Sequence, residues 1–295
     1  MPPDAGFAPV SVIVPAFRAA STVGRALVSI AAQTAKPEEV LVVDDGSNDG
    51  TFEAAREMSP RMEGIELVVI RQANAGAGVA RNRAIAEARQ PILAFLDADD
   101  EWLPEKLERS IAELEKDGRV LVAHNYIRAG DRDETVVDCV RNFAAGDPFV
   151  SLYRRGYIAT STVVARKETV DAVGGFDTGL ATGQDFDLWL KMLAPPGTPF
   201  AVFPEALTRY HISPSGITAN TARRLACCLD IADRHARALA GRPGGVWPSV
   251  CFRTTAVHYE AIRAYGRTGA WGKALKTVAE APLALAATVG RLRGR

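Results

Sequence analysis

Three acids crowd the end of the run Phe95-Leu96-Asp97-Ala98-Asp99-Asp100, behind an apolar stretch that reads as a buried strand. Their mutual repulsion favours a cation. Asp97 and Asp99, one residue apart, can turn both carboxylates toward a shared hard metal ion, Mg²⁺ or Mn²⁺, which keeps waters and recruits phosphate oxygens. Such a site suits a nucleoside diphosphate. Acids also cap helices and solvate turns, so the triplet alone leaves both readings open.

A second acidic turn, Val42-Val-Asp-Asp-Gly-Ser-Asn-Asp-Gly-Thr51, sets Asp44 and Asp45 at the carboxyl end of another apolar run, with Gly46 free to make a tight turn. A carboxylate there can accept the N3–H of a uracil ring or a ribose hydroxyl, while Ser47 and Asp49 are placed to cap the helix that follows. The segment Asn74 to Arg83 has glycines for close backbone approach and opens a helix bearing Arg81, Asn82 and Arg83. It can serve a bound nucleotide. It is no Walker phosphate loop, because Gly-Lys-Ser/Thr is absent, and the lack of GxGxxG after the first strand argues against a dinucleotide. Asp185 falls in the first turn of a predicted helix, where a carboxylate favours the dipole and the free N–H groups. His211, following Arg209-Tyr210, is either a core histidine or a contact to metal or pyrophosphate. Trp102, beside the acids, is the stacking candidate, and Trp189 reads as core.

The elements that must position these groups alternate regularly through the first 116 residues. Strand patterns at Val10–Val14, Val40–Val43, Ile65–Ile70 and Ile92–Leu96 each precede a helical pattern, at Ser21–Gln33, Thr51–Met58, Gly78–Ala88 and Pro104–Lys116. Four strand–helix units in succession predict an α/β fold with a mostly parallel, doubly wound sheet, which binds ligands beyond the carboxyl ends of its strands. The acids lie at those ends. Beyond Gly118 the pattern is less regular, with strands at Val120–Ala123, Thr135–Val137 and Thr162–Ala165, a helix at Asp185–Leu193 and a short last strand at Leu207–His211. From Thr221 onward the chain is Ala-rich and helical in pattern, interrupted at Gly241–Pro248.

Composition narrows the class. In 295 residues, 47% hydrophobic and 24% charged, Lys plus Arg equals Asp plus Glu at 35 each. That balance lacks the basic excess of a nucleic-acid binder. Cys139, Cys227, Cys228 and Cys251 form no CxxC pair, Cys227 and Cys228 read as buried small apolar residues, and a reducing compartment fits. Met1 to Pro9 has neither a basic n-region nor an apolar core, so no secretory leader is expected, and no apolar stretch has the length of a membrane span. Ala281 to Val289 is apolar apart from Thr288 and is followed by Arg291, Arg293 and Arg295. It reads either as a solvated terminal helix or as one drawn to anionic lipid.

Taken together, Val10-Ser-Val-Ile-Val-Pro15, Ser29-Ile-Ala-Ala-Gln-Thr34, Val43-Asp-Asp-Gly-Ser47, Asn74-x-Gly76 with Ala80-Arg-Asn82, and Leu96-Asp-Ala-Asp-Asp100 resemble the nucleotide-binding half of the family 2 GT-A glycosyltransferases. Gly174-Gly-Phe-Asp177 and Gln184-Asp-Phe-Asp-Leu-Trp-Leu190 look like that family's acceptor-side segments, and Arg209-Tyr-His211 like the element closing over the diphosphate. The resemblance covers residues 8 to 218. It implies a Rossmann-like GT-A catalytic domain over 1–220, with a nucleotide-sugar half at 8–105 and an acceptor-side half at 106–220, and a helical extension over 221–295. It implies donor contacts from Pro15, Phe17, Asp44, Asp45, Asn74, Gly76, Arg81, Asp97 and Ala98, with Asp45 on the base. Asp97 and Asp99 become the DXD pair around Mn²⁺ or Mg²⁺, joined by His211, with Asp185 the general base and Trp102 and Gln184 on the acceptor or specificity side.

The activity so implied is inverting transfer from a nucleoside-diphosphate sugar, a uridine one favoured, to a hydroxyl of a glycan or lipid-linked precursor. The expected setting is cytoplasmic, with peripheral contact to the membrane face through the last helices. Two departures bear on specificity. Ala16-Phe17-Arg18 stands where Tyr-Asn is frequent, and Gln184 replaces the acid that commonly precedes the base. The alternatives are a catalytically silent nucleotide-sugar or glycan-binding module, and a sugar nucleotidyltransferase. The latter wants an Arg/Lys-bearing triphosphate loop after the first strand, where Pro15 to Thr22 supplies only Arg18.

Overall fold

The computed structural model describes residues 7–130, 134–143, 146–156, 158–212 and 220–293. The chain forms two compact units. The sheet unit comprises Met1–Arg141, Ile158–Thr178 and Gly197–Ile212, and the helical unit Asn142–Tyr157, Gly179–Pro196 and Ser213–Arg295.

In the sheet unit β1 (Ala8–Ala16), β2 (Pro37–Asp44), β3 (Glu66–Arg71) and β4 (Ile92–Phe95) alternate with α1 (Val23–Ala31), α2 (Thr51–Arg56) and α3 (Ala77–Glu87). The predicted strand–helix units are all present. Val10, Val12 and Val14 of β1 pack on Val23, Ala26, Leu27 and Ile30 of α1, every one of them fully buried. Burying each Val, Leu or Ile contributes about 1.5–3 kcal/mol, and the i, i+3, i+4, i+7 spacing on α1 lets one helix face supply four of them.

These first four strands are parallel, in the order β3-β2-β1-β4. The remainder of the sheet is mixed. β8 (Val164–Arg166) runs antiparallel to β4, and β6 (Leu121–Ala129) antiparallel to β8. β9 (Phe200–His211) lies parallel to β6, and β5 (Glu101–Trp102) and β7 (Glu134–Val137) pair antiparallel with β9 and β6. The uninterrupted parallel run therefore belongs to the first half, and the β6–β9 pair is a separate parallel pairing in the second. Helices α4 (Lys106–Leu114) and α6 (Lys167–Ala172) complete this unit. β9 has twelve residues, well beyond the short strand expected at Leu207–His211. Its register with β6 shifts after His124, beside Pro204, which explains why the sequence does not read as one strand.

The helical unit contains α5 (Pro148–Arg155), α7 (Gln184–Leu193), α8 (Thr221–His235), α9 (Val246–Arg267) and α10 (Trp271–Arg293). Asp147 caps α5 by accepting from the Val150 N–H at 3.1 Å, and it also takes two hydrogen bonds from Arg242 at 2.6 and 2.7 Å. Arg242 lies over the Phe149 ring, 4.4 Å from its centroid, so one cation secures both the cap and the apolar face of α5. Trp189 is fully buried, as expected of a core residue. Cys227 and Cys228 are half-buried on α8 and Cys139 is buried; all four cysteines are free thiols. Among the described residues no helix is long and apolar enough to cross a membrane.

Candidate active site

Parallel strands set their carboxyl ends on one edge of the sheet, and there the first loops are knitted together. The Asp45 N–H donates to the Ala16 carbonyl and the Leu96 N–H to that of Ile13, which carries the strand pairing into the turns. Arg18 takes a positive φ of 53°, and its N–H donates to Ser47 Oγ at 2.8 Å. Ser47 is thus spent on the first loop, not on the cap of α2. Asp49 receives the Thr51 N–H at 3.2 Å. Phe17 is 47% exposed at this edge, next to the intermediate Pro15.

Asp44 and Asp45 do different work. Asp44 is fully buried, paired with Arg71 at 3.0 Å and accepting from the Ser47 N–H, so its carboxylate serves the turn instead of a ligand. Asp45 Oδ1 accepts from Gln72 Nε2 and the Ala75 N–H, and Oδ2 from the Gly76 N–H, at 2.8 to 2.9 Å. A carboxylate has about four acceptor positions. One therefore remains on Oδ2. The amide of Asn74 donates to the Asp45 carbonyl, closing the same loop from the other side. Gly46 permits this approach: its φ is +77°, and a Cβ there would lie 2.7 Å from the Asn74 nitrogen.

The loop after β4 holds the acid triplet. Asp97, partly exposed, pairs through Oδ1 with Arg81 at 2.5 Å. Arg81 lies over the Phe176 ring, and Asn82 staples the Phe176 backbone through both its N–H and its carbonyl. The Gly174-Gly-Phe segment is thereby a brace for α3. Asp99 is partly exposed, and burial, followed by the charge of Asp97, raises its carboxyl above the ordinary value. Arg25 donates to the Asp99 carbonyl at 2.5 Å. Ala98 is buried between the two acids.

Asp100 is buried and is pushed well upward, by burial first and then by Asp97. It is fixed by Ser161 Oγ at 2.5 Å and by the His211 N–H at 2.9 Å. Burial, together with Asp100, Asp97 and Asp99, also drives the Tyr210 phenol upward. The whole loop therefore sits in a negative field that a bound cation would relieve.

One expectation needs correction. Trp102 is only 3% exposed; its Nε1 donates to the Ser161 carbonyl at 2.8 Å, and Lys106 Nζ lies 3.9 Å from the ring centroid. A ring so covered is a core anchor, not a stacking platform. The His211 imidazole faces Glu101 at 3.4 Å. Among the described residues no three His, Cys, Asp or Glu side chains are gathered to hold a metal, while the charge of His211 acts on Asp99 and favours its ionised form. The two carboxylates still fit a divalent ion that draws its other ligands from water and phosphate.

Sequence reasoning missed Ser161. Its hydroxyl accepts from the Asp97 N–H at 3.1 Å and donates to Asp100, while its carbonyl receives Trp102 and Thr208. A Thr-Ser-Thr run carries no periodicity that could have singled it out. Glu101 was missed as well; Arg25, Arg209 and His211 lie 4.0, 3.8 and 3.4 Å from its carboxylate.

In the helical unit Asp185 occupies the first turn of α7, half-buried, with Oδ1 accepting from the Phe186 N–H at 2.8 Å. Gln184 is buried and donates to the Leu180 carbonyl at 2.7 Å, which ties its amide to the local turn. Asp187 is fully buried, 2.8 Å from His235 Nε2 and 2.7 Å from Lys191 Nζ. Burial opposes its charge, but His235 and Lys191 outweigh burial and hold the carboxyl below its ordinary value.

A model of the family described as Glycosyl transferase family 2 matches residues 11–167, just over half of the chain. The chain belongs to that family. As a family 2 glycosyltransferase it is 32% identical over 190 residues to the glycosyltransferase AglE of Haloferax volcanii, a match covering 64% of this chain and 62% of AglE. It is 28% identical over 224 residues to WfgD of Escherichia coli, named a UDP-Glc:alpha-D-GlcNAc-diphosphoundecaprenol beta-1,3-glucosyltransferase, covering 73% of this chain and 82% of WfgD.

Solved structures place this glycosyltransferase in the GT-A fold. S. aureus TarS 1-349 in complex with UDP-GlcNAc is similar with a TM-score of 0.67 at 18% identity, covering 92% of this chain and 81% of that one. The mannosyltransferase PcManGT from Pyrobaculum calidifontis, in complex with GDP-Man and Mn²⁺, gives 0.64 at 21% identity, covering all of this chain and 83% of that one.

Proposed function

We propose that the protein transfers a sugar from a nucleoside-diphosphate sugar, a uridine one favoured, to a hydroxyl of a glycan or lipid-linked glycan precursor, inverting the anomeric carbon. The observation that carries the reading is the Asp97–Asp99 pair at the carboxyl edge of parallel strands, where Arg81 braces Asp97 and burial, then the charge of Asp97, raises Asp99. Asp97 and Asp99 would hold Mn²⁺ or Mg²⁺, which when bound stabilises the charge developing on the departing diphosphate. Asp45 Oδ2 offers its remaining acceptor position to the base, against the wall formed by Asn74 to Gly76.

Asp185 is assigned as general base from its place in the Gln184-Asp-Phe-Asp segment. It takes the proton of the acceptor hydroxyl while that oxygen bonds to the anomeric carbon and the bond to the diphosphate breaks. A lipid-linked acceptor also places the protein peripherally, at a membrane face on the cytoplasmic side. WfgD's name specifies such an acceptor for that protein.

The test is nucleotide release from a panel of UDP-, GDP- and dTDP-sugars in the presence of Mn²⁺, Mg²⁺ or EDTA. One donor should turn over with metal, and Asp185→Asn should keep donor binding while losing about 10²–10⁴-fold in kcat. Binding of a donor with no turnover in any acceptor mixture would favour the silent module, and unchanged turnover in Asp185→Asn would sink the base.

A further inference from the structure

Gln72 directly follows β3, and its backbone is clamped on both sides. Its N–H donates to the Asp44 carbonyl at 3.0 Å, one step beyond the β2–β3 ladder, and its own carbonyl oxygen would stand 3.2 Å from a Cβ at Gly46. From that fixed point the half-buried side chain reaches across the turn, where Nε2 donates to Asp45 Oδ1 at 2.8 Å. The charged neighbour takes no part, because Arg71 is spent on Asp44 and Glu53. Among the described residues the Asp45 carboxylate is therefore held by neutral donors alone.

This changes what the carboxylate can read. Oδ1 already accepts two hydrogen bonds, from Gln72 and from the Ala75 N–H, which fills the roughly two acceptor positions of one carboxylate oxygen. Oδ2 accepts one, from the Gly76 N–H, and keeps one. A primary amide carries a pair of N–H groups, and Gln72 spends one of them on Asp45. The site thus offers one acceptor with an amide donor beside it, instead of the two open oxygens of an unattended carboxylate.

We infer that Gln72 is a base-specificity residue, which fills Oδ1 and offers its second N–H so that the Asp45 site takes uracil and refuses guanine. The inference rests on the nucleotide-sugar reading above and adds the residue that selects the base. Uracil presents a single ring N–H, at N3, flanked by carbonyls; N3–H meets Oδ2, and a neighbouring carbonyl meets the Gln72 amide. Guanine presents adjacent N–H groups at N1 and N2, which would take both oxygens of a free carboxylate. With Oδ1 filled, the second of them is left against another donor, and an unpaired buried donor lowers affinity by about tenfold or more.

The experiment is calorimetric binding of UDP, GDP, 2-thio-UDP and 4-thio-UDP to the full chain in Mn²⁺, for wild type and for Gln72→Met, a side chain of similar length that donates nothing. Wild type should bind UDP at least about tenfold more tightly than GDP, and should bind one of the thio analogues, whose sulfur is a poor acceptor, about fivefold more weakly than UDP. Gln72→Met should bring UDP and GDP within about threefold of each other and erase the thio penalty, at the wild-type melting temperature. A purely structural role would instead weaken UDP and GDP in equal proportion, and that result overturns the inference. So does a wild type that takes both thio analogues as it takes UDP, a comparison that does not depend on the variant folding. A wild type that binds GDP as tightly as UDP overturns the inference and leaves the glycosyltransferase reading standing, whereas failure to bind any of these nucleotides removes both.

Discussion

Two acidic sites, one in each unit, are treated in opposite ways. In the sheet unit Asp97, Asp99 and Asp100 are set side by side, and Asp99 and Asp100 are raised by burial and then by the charge of Asp97. In the helical unit the Asp187 carboxylate is answered by His235 and Lys191 and is held down. The second site is complete as folded. The first leaves negative charge that the protein's own cations, Arg81 on Asp97 and Arg25 on a backbone carbonyl, answer only in part. Unrelieved like charge at a strand end signals an expected ligand, whereas a neutralised acid signals architecture.

The largest effect should come from the first site. Chelation with EDTA, or Asp99→Asn, is expected to reduce kcat/KM for nucleotide release by about 10³-fold, on the order of 4 kcal/mol of transition-state stabilisation. Asp187→Asn should leave the metal requirement intact. A metal titration of both variants checks this, and a shifted requirement in Asp187→Asn would erase the contrast between the sites.

Asp187→Asn should instead destabilise the fold by about 2–3 kcal/mol, below the ~3–5 kcal/mol of a fully buried pair because Lys191 is about one third exposed. Urea unfolding measures it. Ser161→Ala should weaken Mn²⁺ binding roughly tenfold, as expected for about 1–1.5 kcal/mol from a lost positioning hydrogen bond. Ser161→Thr should restore part of the affinity. An alanine variant that melts early yet binds metal normally would show that Ser161 supports only the core.

The smallest effect is in pH. Asp99, raised above the ordinary 3.8, binds its proton in the folded chain where the unfolded chain has released it, so its contribution improves as pH falls toward 3.8. Asp187, lowered from 3.8, contributes fully above that value and loses its contribution below it. Asp99→Asn should flatten the rise on acidification, and Asp187→Asn the fall at lower pH. Urea midpoints against pH would show the two slopes.

Much of the first half was legible because β-branched runs and helical spacing alternate there without interruption, and because acids at strand ends mark the ligand edge. The second half hides its plan. Pro204 and a shifted register break the pattern of β9, and α5 and α6 are too short for periodicity to announce them. Site chemistry was legible as residue type, less so as role. Asp44 and Asp45 are neighbours of identical chemistry, yet one is consumed by Arg71 and the other holds a loop, a difference set by partners 27 to 31 positions away. Trp102 was misplaced for the same reason, since its cover comes from Lys106 and Ser161.

The clasp of Asp45 on Ala75 and Gly76 has a thermodynamic consequence. Because the loop is already tied down by a buried carboxylate and by Asn74, an incoming nucleotide meets a wall whose conformational entropy was surrendered during folding. Recognition at the end of β2 therefore draws little from the affinity of the ligand, and a side chain at Gly46, by prising the loop away, would return that cost to every binding event.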